Sequence, residues 1–511
     1  MHKTKTFEQF TCDDMAAAAI TPGTAAVATA FHHPSRGLVQ CPAAPALAAS
    51  LGRHGIAAGY AQLTARAPGP DDDDPVGRQH TAGSPGAPTW AVSYLDRDGH
   101  ATGLAAAVHP GDTAAAGIAR RVLREWAAVM RSRRALVTAP QPACPGVARA
   151  LSTVHEALDG QASGSPLYLY GQLTASPHHA RDLARRGATP VTDLDQVPDA
   201  ASVVFPAHGV PLAVRAEAAA RGLHVTDATC PLVTAAHAEA QRFADRGDVT
   251  IVIGRTGHAA LPGILGQAPE HVLLAETAAD VPNLPLTGPA GVSYLVQTGI
   301  PIEDATPVIA ALRARYPPLP GPDPASWCYH ASDRNAATAT IAAASDLLLI
   351  AGQPGSADTR HFRALTQARG IETPVHVISD IAHLRPGQLR DAATIGLTTT
   401  LTAPPGLTSQ ILTVLSGLGP LTIASHHVTT QPATRQAPHT HPAFLATPGD
   451  GRQKADVHSF MADRLHAQSD TLPGSEPGYG AREQLSHRHI FHHFRIEMVS
   501  HYLFPAKGCS V

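Results

Sequence analysis

The feature that most constrains this chain is an alternation of short β-branched runs with helical stretches from residue 135 to about 418. Residues 202–205, 249–254, 292–297, 347–352, 375–379 and 394–398 read as strands. Residues 148–158, 212–221, 233–246 and 303–315 read as helices between them. Strands separated by helices of about 10–15 residues form βαβ units, and such units build parallel sheets covered by helices on both faces. The expected fold is therefore α/β. Ligands on sheets of this kind bind beyond the carboxyl ends of the strands.

Elsewhere the pattern weakens. Residues 1–35 show no clear period and are expected to be a disordered arm. Helical spacing at 46–54 and 113–130 and a strand at 90–95 mark 36–133 as an α/β remnant. Inside it, 67–89 sets four aspartates at 71–74 among Pro, Gly and Ser, the composition of a solvated loop. From 421 to 511 no period is sustained while histidines accumulate, so a mostly disordered His-rich tail is expected. Its HRHIFHH stretch at 487–493 is the one part dense enough to chelate a metal ion.

A length of 511 residues leaves room for roughly three to four domains. Charged residues make up 15% of the chain and the formal charge is −3, which argues against a nucleic-acid partner. No stretch approaches about 18 uninterrupted apolar residues, so no membrane span is expected. Glu8, Asp13 and Asp14 interrupt the N-terminus, which does not read as a signal peptide. The expected location is cytoplasmic.

Six cysteines, with no CxxC pair, are too few and too dispersed for a disulfide scaffold. Cys144 (PACPGVARAL), Cys230 (TDATCPLVT) and Cys328 (SWCYH) stand 86 and 98 residues apart, about one βαβ lobe each. Cys144 and Cys230 each precede a helix start and are followed by Pro145 and Pro231. The positive potential at a helix N-terminus favours thiolate. Three such thiolates meeting from three lobes suit an iron–sulfur cluster with one iron left open to a substrate hydroxyl. By spacing alone the plainer reading, three small buried hydrophobes, is the better one.

The surrounding residues reverse that judgement. FPAHGVP (205–211), VTDATCPLVTAAH (225–237), IGRTGHAALPGILGQ (253–267) and YLVQTG (294–299) resemble motifs of the 4-hydroxy-3-methylbut-2-enyl diphosphate reductase family. PACPGVARA and WCYHASDRN resemble its other two cysteine motifs, in the same order, and the resemblance runs from about 134 to 418. It implies three βαβ-type lobes around a central [4Fe-4S] cluster held by Cys144, Cys230 and Cys328. It also implies the last reaction of the methylerythritol phosphate route to isoprenoids. Two electrons and two protons remove an allylic hydroxyl, giving isopentenyl and dimethylallyl diphosphate. In such enzymes the electrons come from a ferredoxin or flavodoxin.

The same motifs imply site residues. His208 in AHGV and His258 in TGHAALPG match histidines that contact the diphosphate, and Thr298 in VQTG matches a threonine near the substrate. Ser356 in AGQPGSADT matches a serine that hydrogen-bonds phosphate, and Thr402 keeps the hydroxyl of a later serine. Asp358 stands at the position of a substrate-binding asparagine, with Ala357 in place of its neighbouring serine. An ionised aspartate facing a diphosphate repels it, most strongly in a dry pocket. The family's His-Asn pair falls on Ala175 and Ser176, with His178 and His179 displaced by a few residues, and a second threonine becomes Gly299.

The largest departure is at Ala260. The family's GHxGHxE motif carries a glutamate beside the substrate alcohol, and general acid catalysis contributes about 10²–10⁴-fold. No catalytic residue is therefore assigned, and Ala260→Glu is expected to raise turnover if the fold is otherwise competent. Two readings stay open: a reductase of an allylic diphosphate, or a non-catalytic iron–sulfur paralogue with a regulatory or structural role.

Members of that family usually begin just before the first cluster cysteine, so about 130 residues here are additional. CPAAPALAASLGRHG (41–55), the strand at 91–95 and the helix before Arg134 resemble part of a nucleoside-phosphorylase-like domain. Its acidic segment is replaced by the Pro/Gly/Asp loop. The expectation is a degenerate docking domain over 36–133 ahead of a reductase domain over 134–420.

Overall fold

The computed structural model describes residues 5–12, 20–66, 86–95, 100–139, 142–161, 165–286 and 291–430. Six strands open the chain: β1 (Lys5–Cys12), β2 (Thr24–His33), β3 (Gly37–Gln40), β4 (Ala57–Arg66), β5 (Ala87–Leu95) and β6 (Ala101–Val108). They close into a barrel in the order β1-β4-β2-β3-β6-β5. The expected arm over 1–35 is thus corrected. β1 runs antiparallel to β5 from Lys5↔Tyr94 to Cys12↔Ala87, and β2 pairs with β4 and β6. The sequence hides this because β2 reads TAAVATAFHH and is buried along most of its length. A strand covered on both faces shows no in–out alternation, and alanine signals burial weakly. The acidic loop expected over 67–89 lies outside the described residues as far as 85, and β5 already begins at Ala87.

Twelve further strands follow: β7 (Arg133–Ala139), β8 (Leu167–Tyr170), β9 (Ala188–Val191), β10 (Ser202–Phe205), β11 (His224–Asp227), β12 (Val249–Ile253), β13 (Val272–Ala275), β14 (Val292–Val296), β15 (Leu347–Ala351), β16 (Val375–Ile378), β17 (Thr394–Thr399) and β18 (Leu421–His427). They form three parallel sheets, ordered β11-β10-β8-β9, β13-β12-β14 and β16-β15-β17-β7-β18. The expected α/β class with three lobes is what the chain adopts. β18 moves the end of the third lobe from 420 to His427, so His426 and His427 belong to a sheet and not to a tail. Residues 431–511, including HRHIFHH, lie outside the described residues.

The cysteines mark the passages between lobes. Helix Pro145–Asp159 follows β7 of the third sheet, yet its Ala150, Leu151 and Val154 pack with Leu167 and Leu169 of the first lobe. Helix Pro231–Asp245 follows β11 of the first lobe, and its Ala240 and Phe243 pack with Val252 of the second. Helix His330–Ala343 follows the second lobe and packs Ile341 and Ala342 against Leu348 and Ile350 of the third. Each passage opens on a helix N-terminus, and the three N-termini face one another across the centre.

The N-terminal domain shares its core with the third lobe. Leu347, Leu349 and Ala351 of β15 and Ile395 and Leu397 of β17 join the cluster that holds Val27, Leu47, Val92 and Trp126. Leu348 and Ile350 face the opposite way, toward helix His330–Ala343. Both faces of β15 are buried, which is why LLLIA is an unbroken apolar run. Arg133 fastens the joint by donating to the carbonyls of Ala392 and Leu389, both at 3.1 Å. Among the described residues no helix is long and apolar enough to cross a membrane.

Candidate active site

Cys144 is the N-cap of helix Pro145–Asp159, in an extended conformation, and its sulfur accepts the Val147 N–H at 3.4 Å. Cys230 caps helix Pro231–Asp245 in the same conformation. Both prolines occupy the first helical position, where their missing N–H costs nothing and their fixed φ sets the helix direction. A Cβ on Gly146 would lie 2.6 Å from the Cys230 sulfur and 3.8 Å from that of Cys144, so a glycine is what lets the two thiols approach.

Cys328 completes the set. The backbone N–H groups of His330 and Gly299 and the thiols of Cys144 and Cys230 lie close enough to act on its sulfur. Burial raises its thiol pKa first, the two neighbouring thiols add to that, and the two N–H donors oppose it. All three are free cysteines lining one cavity. Among the described residues no cysteine belongs to a triad of ligand atoms mutually within 4.8 Å. The donor set fits an iron–sulfur group.

The cavity encloses about 540 Å³, ample for a small diphosphate. Besides the three cysteines, its wall includes His208, His258, Thr298, Asp358 and Ala175. The His208 and His258 rings meet edge to face at 5.8 Å. Burial and then His258 bring the His208 pKa down to about 4, and burial and then Arg255 lower that of His258. Both rings are thus neutral at neutral pH while no anion is bound. His258 Nδ1 accepts the Ala260 N–H at 3.1 Å, which fixes the tautomer with its proton on Nε2. Gly299, at φ +93°, makes room for that ring, since a Cβ there would lie 3.0 Å from Nε2. A side chain at this position would ask the ring to shift by a few tenths of an ångström. The Thr298 hydroxyl is buried at the cavity wall with no protein partner.

Other expected site residues make hydrogen bonds within the fold. Ser356 caps helix Ala357–Ala368, accepting the Thr359 N–H at 3.2 Å, and Thr402 accepts the Gln353 N–H at 3.1 Å. Neither is among the residues lining the cavity. Asp358 does line it but is already engaged: its carboxylate accepts the Leu401 N–H at 3.3 Å and lies 3.8 Å from the Arg334 guanidinium. Its charge is therefore largely offset. Ala175 lines the wall while His178 and His179 do not.

Ala260 is 0% exposed, and its neighbour Ala259 is the one that lines the cavity. A glutamate at 260 would enter a packed interior, where an uncompensated charge costs several kcal/mol. Ala260→Glu is now expected to lower the thermal unfolding midpoint without raising turnover, read by scanning fluorimetry beside a product assay. A stable and faster variant would restore the sequence expectation.

Among the wall residues that sequence reasoning missed are Arg255, Arg334, Asn335 and His361. Arg255 forms an ion pair with Asp304. Arg334 donates to the Thr399 carbonyl at 2.7 Å and to that of Pro142 at 3.4 Å, and its guanidinium lies over Phe362. The signal for Arg334 was its place in WCYHASDRN, six residues after Cys328.

Three parallel α/β lobes that converge three free cysteines on a cavity with buried histidines define an iron–sulfur oxidoreductase scaffold. The LytB protein family profile matches residues 136–416, and the chain belongs to that family. A protein named 4-hydroxy-3-methylbut-2-enyl diphosphate reductase 2 from Mycobacterium bovis is 40% identical over 300 residues, covering 58% of this chain and 90% of that protein. The 4-hydroxy-3-methylbut-2-enyl diphosphate reductase of Acidithiobacillus ferrooxidans is 38% identical over 285 residues, 56% of this chain and 89% of its own. The solved structure of the E-1-hydroxy-2-methyl-but-2-enyl-4-diphosphate reductase from Plasmodium falciparum superposes with a TM-score of 0.52 at 25% identity, covering 60% of this chain and 96% of that one. An iron–sulfur cofactor goes with membership of the family.

Proposed function

We propose that the chain is a cytoplasmic reductase of 4-hydroxy-3-methylbut-2-enyl diphosphate. Two electrons and two protons replace the allylic C–O bond with C–H, release water and leave isopentenyl or dimethylallyl diphosphate. The observation that carries this reading is the meeting of Cys144, Cys230 and Cys328 on one cavity with His208 and His258. The three thiolates would hold a [4Fe-4S] cluster, which when bound supplies the electrons one at a time and an open iron as Lewis acid. A ferredoxin or flavodoxin is the reductant.

The chain's own residues do the rest. His258 Nε2–H and the Thr298 hydroxyl serve as donors, His258 in a tautomer set before substrate arrives. Arg334 neutralises Asp358, so the wall carries donors and little net negative charge. With Ala260 in place of a carboxylic acid, the protons for the departing hydroxyl come from water by way of His258. Anaerobic reconstitution followed by an assay for the two diphosphate products tests the reading; reconstituted protein that forms neither product overturns it.

A pH consequence follows from His208. Its pKa of about 4 in the empty site must rise when a polyanion approaches, because an opposite charge favours the imidazolium. Diphosphate binding is then coupled to proton uptake and tightens as pH falls from 8 toward 6. Calorimetry in two buffers of different ionisation enthalpy at pH 7 is expected to show net proton uptake, and none in His208→Asn.

A further inference from the structure

Away from the residues named by the motifs, two helices present a linked set of polar side chains to the cavity. Glu303, in helix Ile302–Arg315, can only accept, and it takes the Asn335 amide Nδ2–H at 2.9 Å. That bond fixes the orientation of the amide, leaving Oδ1 as its acceptor. His361 Nε2 lies 2.8 Å from that oxygen and therefore carries the ring proton. Nδ1 is left as the ring nitrogen for a ligand, and both His361 and Asn335 line the cavity. Asn335 is 4% exposed, so the chain is a buried, directed one.

Burial works against the ionised Glu303, but hydrogen bonds from Ser332 and Asn335 outweigh it and hold the group below the ordinary carboxylate range. In the empty site burial and then Arg255 lower the His361 pKa, so the ring is neutral and Nδ1 only accepts. An arriving polyanion, helped by the Glu303 charge two hydrogen bonds away, favours protonation of Nδ1, which then donates to the phosphoryl group. The charged groups facing His361 are Arg255 and Asp304 from the second lobe, Arg334 from helix His330–Ala343, and Asp358 one turn earlier on its own helix. The two acids are each paired with one of the two arginines. The field of Arg255 reaches both His258 and His361, which places the three in one neighbourhood.

We infer that His361, oriented by the Glu303–Asn335 pair, binds the phosphoryl end of the substrate and stands in for the donors missing at Ala175 and Asp358. This rests on the proposed reductase function. His361 is a binding residue, and Asn335 acts through it as a positioning residue.

The test uses the full-length, cluster-reconstituted protein with inorganic pyrophosphate as the probe, titrated calorimetrically at pH 7. A hydrogen bond to a charged group corresponds to about 10–100-fold in affinity. His361→Ala is expected to weaken pyrophosphate by that factor, and Asn335→Leu by about 3–10-fold. In the reductase assay KM rises with kcat nearly unchanged, the mark of an interaction made equally in ground and transition states. His361→Gln, which keeps a donor toward Asn335, guards against a folding defect and is expected to lose most of the affinity while melting like the parent. Pyrophosphate affinity unchanged in His361→Ala and His361→Gln, with His208→Ala still weakened, overturns the inference and leaves the reductase reading intact. A parent protein that neither binds pyrophosphate nor forms product overturns both.

Discussion

Cys230→Ser is expected to abolish cluster retention and with it reductive turnover, a loss of at least about 10³-fold if the group supplies several kcal/mol. The expectation comes from position as much as from chemistry. Cys230 ends the first lobe and opens the second, its sulfur lies against Gly146, and its neighbours Cys144 and Cys328 line the same cavity. Removing one of three thiolates leaves the other two without a fixed centre. The contrasting cysteine is Cys41 in the N-terminal domain, buried at 3% exposure and with its thiol pushed up to about 12 by burial. Cys41→Ala is expected to keep its iron. Iron and sulfide analysis of both variants after anaerobic reconstitution decides the matter, and a Cys230→Ser protein that holds the parent's iron would refute it.

Arg334→Met carries the second large effect. The Arg334 side chain is 12% exposed and joins three segments: the Pro142 carbonyl just ahead of Cys144, the Thr399 carbonyl at the end of β17, and Asp358 on helix Ala357–Ala368. Removing Arg334 leaves the Asp358 carboxylate without its partner, a cost that the 33% exposure of Asp358 screens in part. Here the abandoned charge is the carboxylate on the cavity wall. Arg334→Met is expected to lower the unfolding midpoint by several degrees and to raise KM at least about 10-fold. Asp358→Asn in the same chain removes the stranded charge and is expected to recover part of both losses, a non-additivity that a double-mutant cycle reads directly. Additive effects would mean that the two side chains do not act together.

The reductase region was legible in the sequence because its strands are short, β-branched and separated by helices. The expected strand at 202–205 is β10 (Ser202–Phe205), and that at 347–352 is β15 (Leu347–Ala351). The four-residue strands β8, β9, β11 and β13 were not singled out, although β10 and β16, of the same length, were. The barrel was hardest to read. Its strands draw on alanine, as in ATGLAAAV of β6, so burial leaves no alternation to detect.

In the site, motifs located the cysteines and the two histidines, but they could not say which way a side chain turns. The Ser356 hydroxyl accepts the Thr359 N–H, Thr402 accepts the Gln353 N–H, and Asp358 lies beside Arg334. Asn335 closes the WCYHASDRN motif, but nothing in the sequence joins it to His361, because the two meet only when their helices pack together.

One measurement bears most directly on the claim that three distant thiols share one inorganic centre beside a diphosphate pocket. The full-length chain is reconstituted anaerobically, assayed for iron and sulfide, reduced with a one-electron donor and given 4-hydroxy-3-methylbut-2-enyl diphosphate. Iron and sulfide in amounts equal to one cubane per chain, lost when Cys144, Cys230 and Cys328 are all serine, together with both isomeric diphosphate products, is the predicted result. A colourless, iron-free protein, or iron that survives the triple replacement, would contradict it.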